Sequence, residues 1–248
     1  MLCPMPSRSL RYTESGHIFL SPRDDLNWVV DAMVSTNYRE EFCLALDFDP
    51  LFIADLMAAG FLVMSAHFSD DEDLQNSPPD RVRFLLLPKL HLIRSVLFFP
   101  ELHETGSARR LLNRYELRFD EDFDRILERC AVIHGDDWLT LPLRESIKTI
   151  RTIDGLPVRP VSFGLYRDGE LKAGEFGFVA GRAYTSYSGY RDEDSAGTVQ
   201  LILMARYLRD AGFDFLDLGM PMDYKDRLGA RNIAPGQFVE LFRNAQSI

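Results

Sequence analysis

The sequence predicts an α+β protein built around a mixed β-sheet, and three observations predict it. From Val161 onward, Val161, Phe163 and Leu165 alternate with smaller residues. Asp168-Gly169 then supplies a strong two-residue hairpin signal. Residues 171–179 read as the returning strand, Ala180-Gly181-Arg182 as a second turn, and 183–190 as a third strand. An apolar helix follows over 196–211, ended by Gly212, and residues 213–218 form the next strand. A meander joined to a strand–helix–strand crossover requires antiparallel and parallel neighbours in one sheet.

The earlier elements are read from caps and spacing. Residues 17–20 fit a short edge strand, and 24–35 a helix starting near Ser21-Pro22. Asp49-Pro50 places an N-cap before a proline at the first helical position. Phe52, Ile53, Leu56 and Met57 give that helix an apolar stripe, and Gly60 stops it. Strands are expected over 83–87, 95–99 and 115–119, and a short basic helix over 107–112. Helices are expected over 120–130, with Phe123, Ile126 and Leu127 inward, and over 141–153. Ser195 or Asp194 is placed to cap the crossover helix. No internal repeat is visible.

A length of 248 residues allows one large domain or two small ones. The change of pattern suggests a smaller N-terminal α/β domain over 1–134 and a larger domain over 135–248. The formal net charge of −10 excludes a protein-wide basic field of the kind that binds nucleic acid. Any RNA contact must come from a local patch. Cys3, Cys43 and Cys130 are odd in number and lack metal-site spacing, which fits reduced thiols in a cytoplasmic protein, with Cys43 and Cys130 buried. The apolar run over 52–66 is interrupted by Asp55 and Gly60 and is too short to span a membrane. Residues 1–11 lack the apolar core of a secretory leader. Asp70, Asp71, Glu72 and Asp73 lie in an acidic loop without the glycine turn of a calcium loop, so no metal site is expected.

The three strands, helix start and following strand resemble the GNAT acyltransferase core. Ordinary acetyltransferases of that class hold a diphosphate on a glycine-rich loop at the helix start. Here the loop carries Asp192, Glu193 and Asp194, which disfavours an anionic ligand and hence an acyl-CoA.

A closer resemblance, from about Asp47 to Phe242, is to the leucyl/phenylalanyl-tRNA–protein transferases. It is carried by Asp49-Pro50 through Gly60-Phe61, and by Phe99-Pro100-Glu101-Leu102-His103 followed by Ser107-Ala108-Arg109-Arg110. It continues in Phe119-Asp120 through Cys130-Ala131, Trp138-Leu139 and Glu145. Gly169-Glu170-Leu171 through Gly181, Asp217, and Leu228-Gly229-Ala230 through Ile233 complete it. The resemblance implies transfer of leucine or phenylalanine from tRNA to a protein whose N-terminal residue is Arg or Lys, marking that protein for degradation. No cofactor and no metal are implied. The reaction needs a group that takes the amine proton and donors for the developing oxyanion.

The chain departs from the family where that chemistry is expected. The family's glutamate position holds Tyr187, its glutamine position holds Gly219, and a further carboxylate position holds Gly164. Val63-Met64 replaces Pro-Trp, and only Arg94 remains of Ser-Pro-x-x-Arg. The resemblance then implies these roles. Asp217 binds or deprotonates the acceptor amine, and Tyr187 or Ser188 hydrogen-bonds the reacting carbonyl or ribose hydroxyl. Phe176, Phe178, Tyr184, Tyr190 and Met220 line the aminoacyl pocket. A basic patch of Lys89, His91, Arg94, His103, Arg109, Arg110, Arg114 and Arg118 meets tRNA phosphates.

The plainer readings are packing for Tyr187 and Tyr190, core filling for Met220 and Met222, and a solvated turn for Asp223, Lys225 and Asp226. Asp217 read plainly caps the segment Asp223 to Leu228, and the arginines form a solvated face balanced by Glu101, Glu104 and Glu116. His17, His103 and His134 are isolated. The alternatives to transfer are an acyl-CoA-dependent N-acyltransferase and a catalytically inactive binder of aminoacyl-tRNA or of N-termini.

Overall fold

In the computed structural model, residues 8–68, 83–135 and 138–247 are described. The acidic loop with Asp70 to Asp73 and the thiol of Cys3 lie outside them. The chain forms two compact units: Met1–Leu92 with Gly135–Leu156, and Ile93–His134 with Pro157–Ile248. They do not divide at residue 134, the boundary read from sequence. The reason lies in strand pairing, which draws the segment 93–134 into the sheet of the later residues.

In the first unit, β1 (Ile18–Phe19) pairs in parallel with β2 (Cys43–Leu44). The helix α1 (Leu26–Ser35) is capped by Asp25, whose carboxylate accepts from Trp28 N at 3.1 Å. In α2 (Pro50–Ala58), Asp49 caps as expected, accepting from Leu51 N and Phe52 N at 2.8 and 3.2 Å. Gly60 ends that turn at φ +102°, a left-handed conformation suited to glycine. β3 (Leu62–Phe68), which the sequence reading missed, pairs antiparallel with β4 (Arg83–Lys89). α5 (Leu141–Thr152) packs on α2 and buries Leu143, Ile147 and Ile150.

The second unit carries a seven-strand sheet. Its strands are β5 (Arg94–Leu97), β6 (Glu116–Phe119), β7 (Arg159–Arg167), β8 (Glu170–Ala180), β9 (Ala183–Arg191), β10 (Phe215–Asp217) and β11 (Arg231–Ile233). Their order is β11-β5-β10-β9-β8-β7-β6. Every neighbouring pair is antiparallel except β9 and β10, the parallel pair made by the crossover helix α6 (Ala196–Asp210). Asp168 and Gly169 both take positive φ, 53° and 80°, as a type I′ hairpin demands. The sheet buries Val161, Phe163, Leu165, Tyr184 and Leu216 together with Val199, Ile202 and Leu208 of α6. The remaining helices are α3 (Gly106–Arg109), α4 (Phe123–His134), α7 (Asp223–Arg227) and α8 (Pro235–Gln246).

Two expectations change. Ser195 precedes α6 in the left-handed region at φ 69°, and its side chain makes no capping bond. Residues 223–227 are helical, and Lys225 among them is buried rather than solvated.

Candidate active site

The site grows from where β9 and β10 part. Their parallel pairing covers only Ala183–Thr185 against Phe215–Asp217. β9 then continues to Arg191 without β10, and a bulge in its pairing with β8 falls between Phe176 and Gly177, where Tyr187 is the extra residue.

Asp217 ends β10 fully buried. Its carboxylate takes a two-pronged ion pair from Arg94, with Nε to Oδ1 at 2.8 Å and Nη2 to Oδ2 at 2.7 Å. Thr185 Oγ1 donates to Oδ2 at 2.9 Å, and Gly219 N donates to Oδ1 at 3.0 Å. These four donors use the acceptor positions a carboxylate offers. With 0% of its surface exposed, Asp217 presents no open face to an incoming amine, in contrast to the amine-contact role expected of it, and its four bonds hold the end of β10. Arg94 is 1% exposed, and its guanidinium lies 4.4 Å from the Phe238 ring centre. That burial removes it from any phosphate-contacting patch.

Gly219 sits at φ +71°, and its carbonyl accepts from Ser95 N at 2.7 Å. A side chain at this position would be held in a strained left-handed conformation. Gly164 is closely packed: a Cβ there would stand 2.7 Å from Tyr166 Cε2 and 3.1 Å from Leu171 Cδ1.

Tyr187, half-buried, stacks on Phe176 with ring centres 5.4 Å apart and meets Phe178 edge-on at 6.2 Å. Ser188 is half-buried beside it, and its carbonyl accepts from Cys130 Sγ at 3.6 Å. Neither is among the partners of Asp217. Phe176 and Phe178 are buried, with Phe176 also edge-on to Phe123 at 6.3 Å. Tyr190 is buried, and the Arg129 guanidinium lies 4.7 Å from its ring centre. Met220 is 54% exposed. The expected pocket residues are thus spread among core, strand face and surface.

On the other face of β9, Tyr184 and Ser186 share a side by the two-residue strand period, and both hydrogen-bond Glu175 of β8. Tyr184 Oη donates to Glu175 Oε1 at 3.2 Å, and the Ser186 hydroxyl is the second partner. Glu175 is half-buried. Burial pushes its pKa up to about 7, against the pull of Ser186, Tyr184 and the Lys225 charge. Lys225, 6% exposed, donates from Nζ to Leu218 O at 2.6 Å and Met220 O at 2.8 Å, stitching α7 to the end of β10. Its pKa is lowered, burial being the main cause, with Asp217 and Glu175 opposing. Sequence reasoning missed both groups. The available signal for Glu175 was its place as a lone carboxylate among Ala173, Gly174, Phe176, Gly177 and Phe178 inside a strand.

The acidic loop at the start of α6 is engaged. Arg129 Nη2 meets Asp192 Oδ1 at 2.6 Å, and Glu193 accepts from Arg167 at 2.6 Å and from Tyr115 Oη at 2.9 Å. Arg109 and Arg110 are exposed on and just after α3, and Arg109 Nε lies 3.3 Å from Glu104. His103 is exposed nearby in sequence, whereas Lys89 belongs to the first unit and pairs with Glu41 at 3.1 Å. Cys43 and Cys130 are buried free thiols, with Cys130 pushed by burial to about 12. Among the described residues, no cluster of His, Cys, Asp and Glu suits a metal ion, and no helix is long and apolar enough to cross a membrane.

The family model for leucyl/phenylalanyl-tRNA protein transferase matches residues 96–243. Proteins named leucyl/phenylalanyl-tRNA–protein transferase from Pseudomonas aeruginosa and Pseudomonas putida are 31% and 32% identical over 152 residues. Each match spans 59% of this chain and 66% of the relative's length, just under two thirds. Among solved structures, the C-terminal domain of a putative lysylphosphatidylglycerol synthetase from Agrobacterium fabrum aligns with a TM-score of 0.40 and 13% identity, over 95% of this chain and 75% of that one. L-PGS from Bacillus licheniformis aligns with a TM-score of 0.42 and 10% identity, over 95% and 88%.

Proposed function

The chain belongs to the leucyl/phenylalanyl-tRNA–protein transferase family, and on that footing we propose that it moves an amino acid from aminoacyl-tRNA to the N-terminal amine of a protein or peptide. The observation that carries the reading is the extent of the family match, which runs through residues 96–243 and so includes the whole crossover β9–α6–β10. The parting of β9 and β10 supports it, because strands that separate beside a crossover helix offer an ester and an amine a common place to meet.

In this reading Asp217 is a positioning residue. It fixes Arg94, Thr185 and the Gly219 backbone at the floor of the gap. The exposed Met220 and Tyr224 flank the aminoacyl side chain, and Ser186 faces the reacting carbonyl. The exposed Arg109 and Arg110 contact tRNA phosphates, with the salt sensitivity that such contacts bring. The acceptor carries a basic N-terminal residue, and the product is directed to degradation.

The test is direct. The protein is incubated with a mixture of aminoacyl-tRNAs, each labelled in its amino acid, and with peptides beginning in Arg, Lys or Ala. Label in the Arg and Lys peptides supports the reading. Label that remains on tRNA with every amino acid, while the tRNA is bound, points instead to a non-catalytic binder.

A further inference from the structure

We infer that Glu175 accepts the proton of the acceptor amine, serving from β8 the role left open where β9 carries Tyr187. This rests on the transferase reading and names the base for it.

The geometry excludes the neighbouring candidates. Asp217 is saturated by four donors and fully buried. The Tyr187 ring lies flat against Phe176, and an ordinary phenol, with a pKa of about 10, is a weak base at neutral pH. Glu175 is half-buried as a residue, and burial of its carboxyl is the main cause of its raised pKa. Its cross-strand partner is the exposed Gly189, which lays no side chain over the Glu175 stem: a Cβ there would lie 3.3 Å from Glu175 Cβ. Donors from Tyr184 and Ser186 hold the carboxylate in place. The titratable groups around it are Tyr184 on β9, Lys225 and Tyr224 on α7, and Cys130 on α4. Lys225 is cationic and favours the carboxylate, while burial opposes it. The outcome is a group poised between acid and base near pH 7, the range where general bases work best.

The step balances without a further reactant. The amine nitrogen bonds to the ester carbonyl carbon, and the carbonyl electron pair moves onto oxygen. The nitrogen passes one proton to a Glu175 oxygen. The oxyanion then re-forms the carbonyl, the bond from carbon to ribose oxygen breaks, and Glu175 returns its proton to that oxygen.

The experiment compares wild type, Glu175→Gln, Glu175→Ala and Tyr187→Phe in single-turnover transfer to an Arg-starting peptide across pH 5.5 to 9. Wild-type rate is expected to rise through about pH 7. Glu175→Gln should lose about 100-fold or more of that rate, with the rise near pH 7 gone and only the amine's own titration left. Glu175→Ala should regain rate when formate is added, which a merely structural defect would not show. Tyr187→Phe should stay within a few-fold of wild type. An active wild type with Glu175→Gln equally active, or with the loss falling on Tyr187→Phe instead, overturns the inference and leaves the transferase reading standing. A folded wild type that transfers nothing overturns the reading and the inference together. If Glu175→Gln fails to fold, the wild-type profile decides: a rate flat through pH 7 contradicts the role, and formate rescue of Glu175→Ala supports it.

Discussion

Single residues carry both the chemistry and its cost. Glu175 is held with its pKa raised from 4.5 to about 7, so between those values the folded chain binds more protons than the unfolded one. Its contribution to stability is therefore fully present below about pH 4.5 and is lost as pH rises through about 7. Thermal melts should show Glu175→Gln gaining on wild type across that window and remaining the more stable protein above it. The buried ion pair behaves differently. Removing one partner strands the other charge, so Asp217→Ala should cost about 3–5 kcal/mol in denaturant unfolding, whereas the apolar double change Arg94→Met with Asp217→Leu should recover most of the loss. Loss of transfer in Asp217→Ala alone thus reports on folding before chemistry. At this scale sequence gave a mixed account. Asp217 stood out at the end of a strand, but its partner lies 123 positions away, and Arg94 read on its own as a surface cation. Lys225 sits among Asp223, Asp226 and Arg227, a solvated pattern. Only the fold reveals that its ammonium reaches back to the carbonyls of Leu218 and Met220.

Among elements, the parts with local punctuation were readable. Asp49-Pro50 and Asp168-Gly169 set their backbone by their own conformational preferences, and α2 and the β7–β8 hairpin follow from them. β3 and β11 lack such signals and form because neighbours supply the pairing, whereas α8 carries Pro235 in its first turn, a signal left unread. The bulge at Tyr187 was equally hidden, since it is a property of two strands together. It depends on Gly177, where a Cβ would lie 2.1 Å from the Thr185 carbonyl oxygen and 2.6 Å from Tyr184 Oη. Both are fixed, one by the ladder and the other by Glu175. Gly177→Ala should therefore cost about 3 kcal/mol, near the top of the range for overpacking. It should also disturb Glu175 through Tyr184, whereas Gly155→Ala, with no atom within 4 Å of the added Cβ but a φ of +77°, should show only the smaller backbone cost. Parallel urea titrations of the two variants check the difference.

For the whole chain, charge and topology point the same way. A net charge of −10 gives no protein-wide basic field, so in the proposed reading tRNA contact falls to a few exposed arginines, while Asp192 and Glu193 are already paired with Arg129 and Arg167. The two compact units cut across the linear division that composition suggested, because the segment 93–134 contributes β5 and β6 to the larger sheet. No local pattern records such an exchange. The family match covers most of that second unit, and there the account rests on one structural claim: the parting of β9 and β10 is where ester and amine meet. The most direct measurement is a backbone and side-chain NMR titration with an adenosine carrying an amino acid through a 3′-amide, which mimics the aminoacyl-tRNA end and resists cleavage. The account predicts shifts centred on Glu175, Ser186, Gly219, Met220 and Lys225. Shifts centred instead on the open groove of Phe99, Leu102, Glu104, Arg209 and Phe213, with the β9–β10 gap silent, would contradict it.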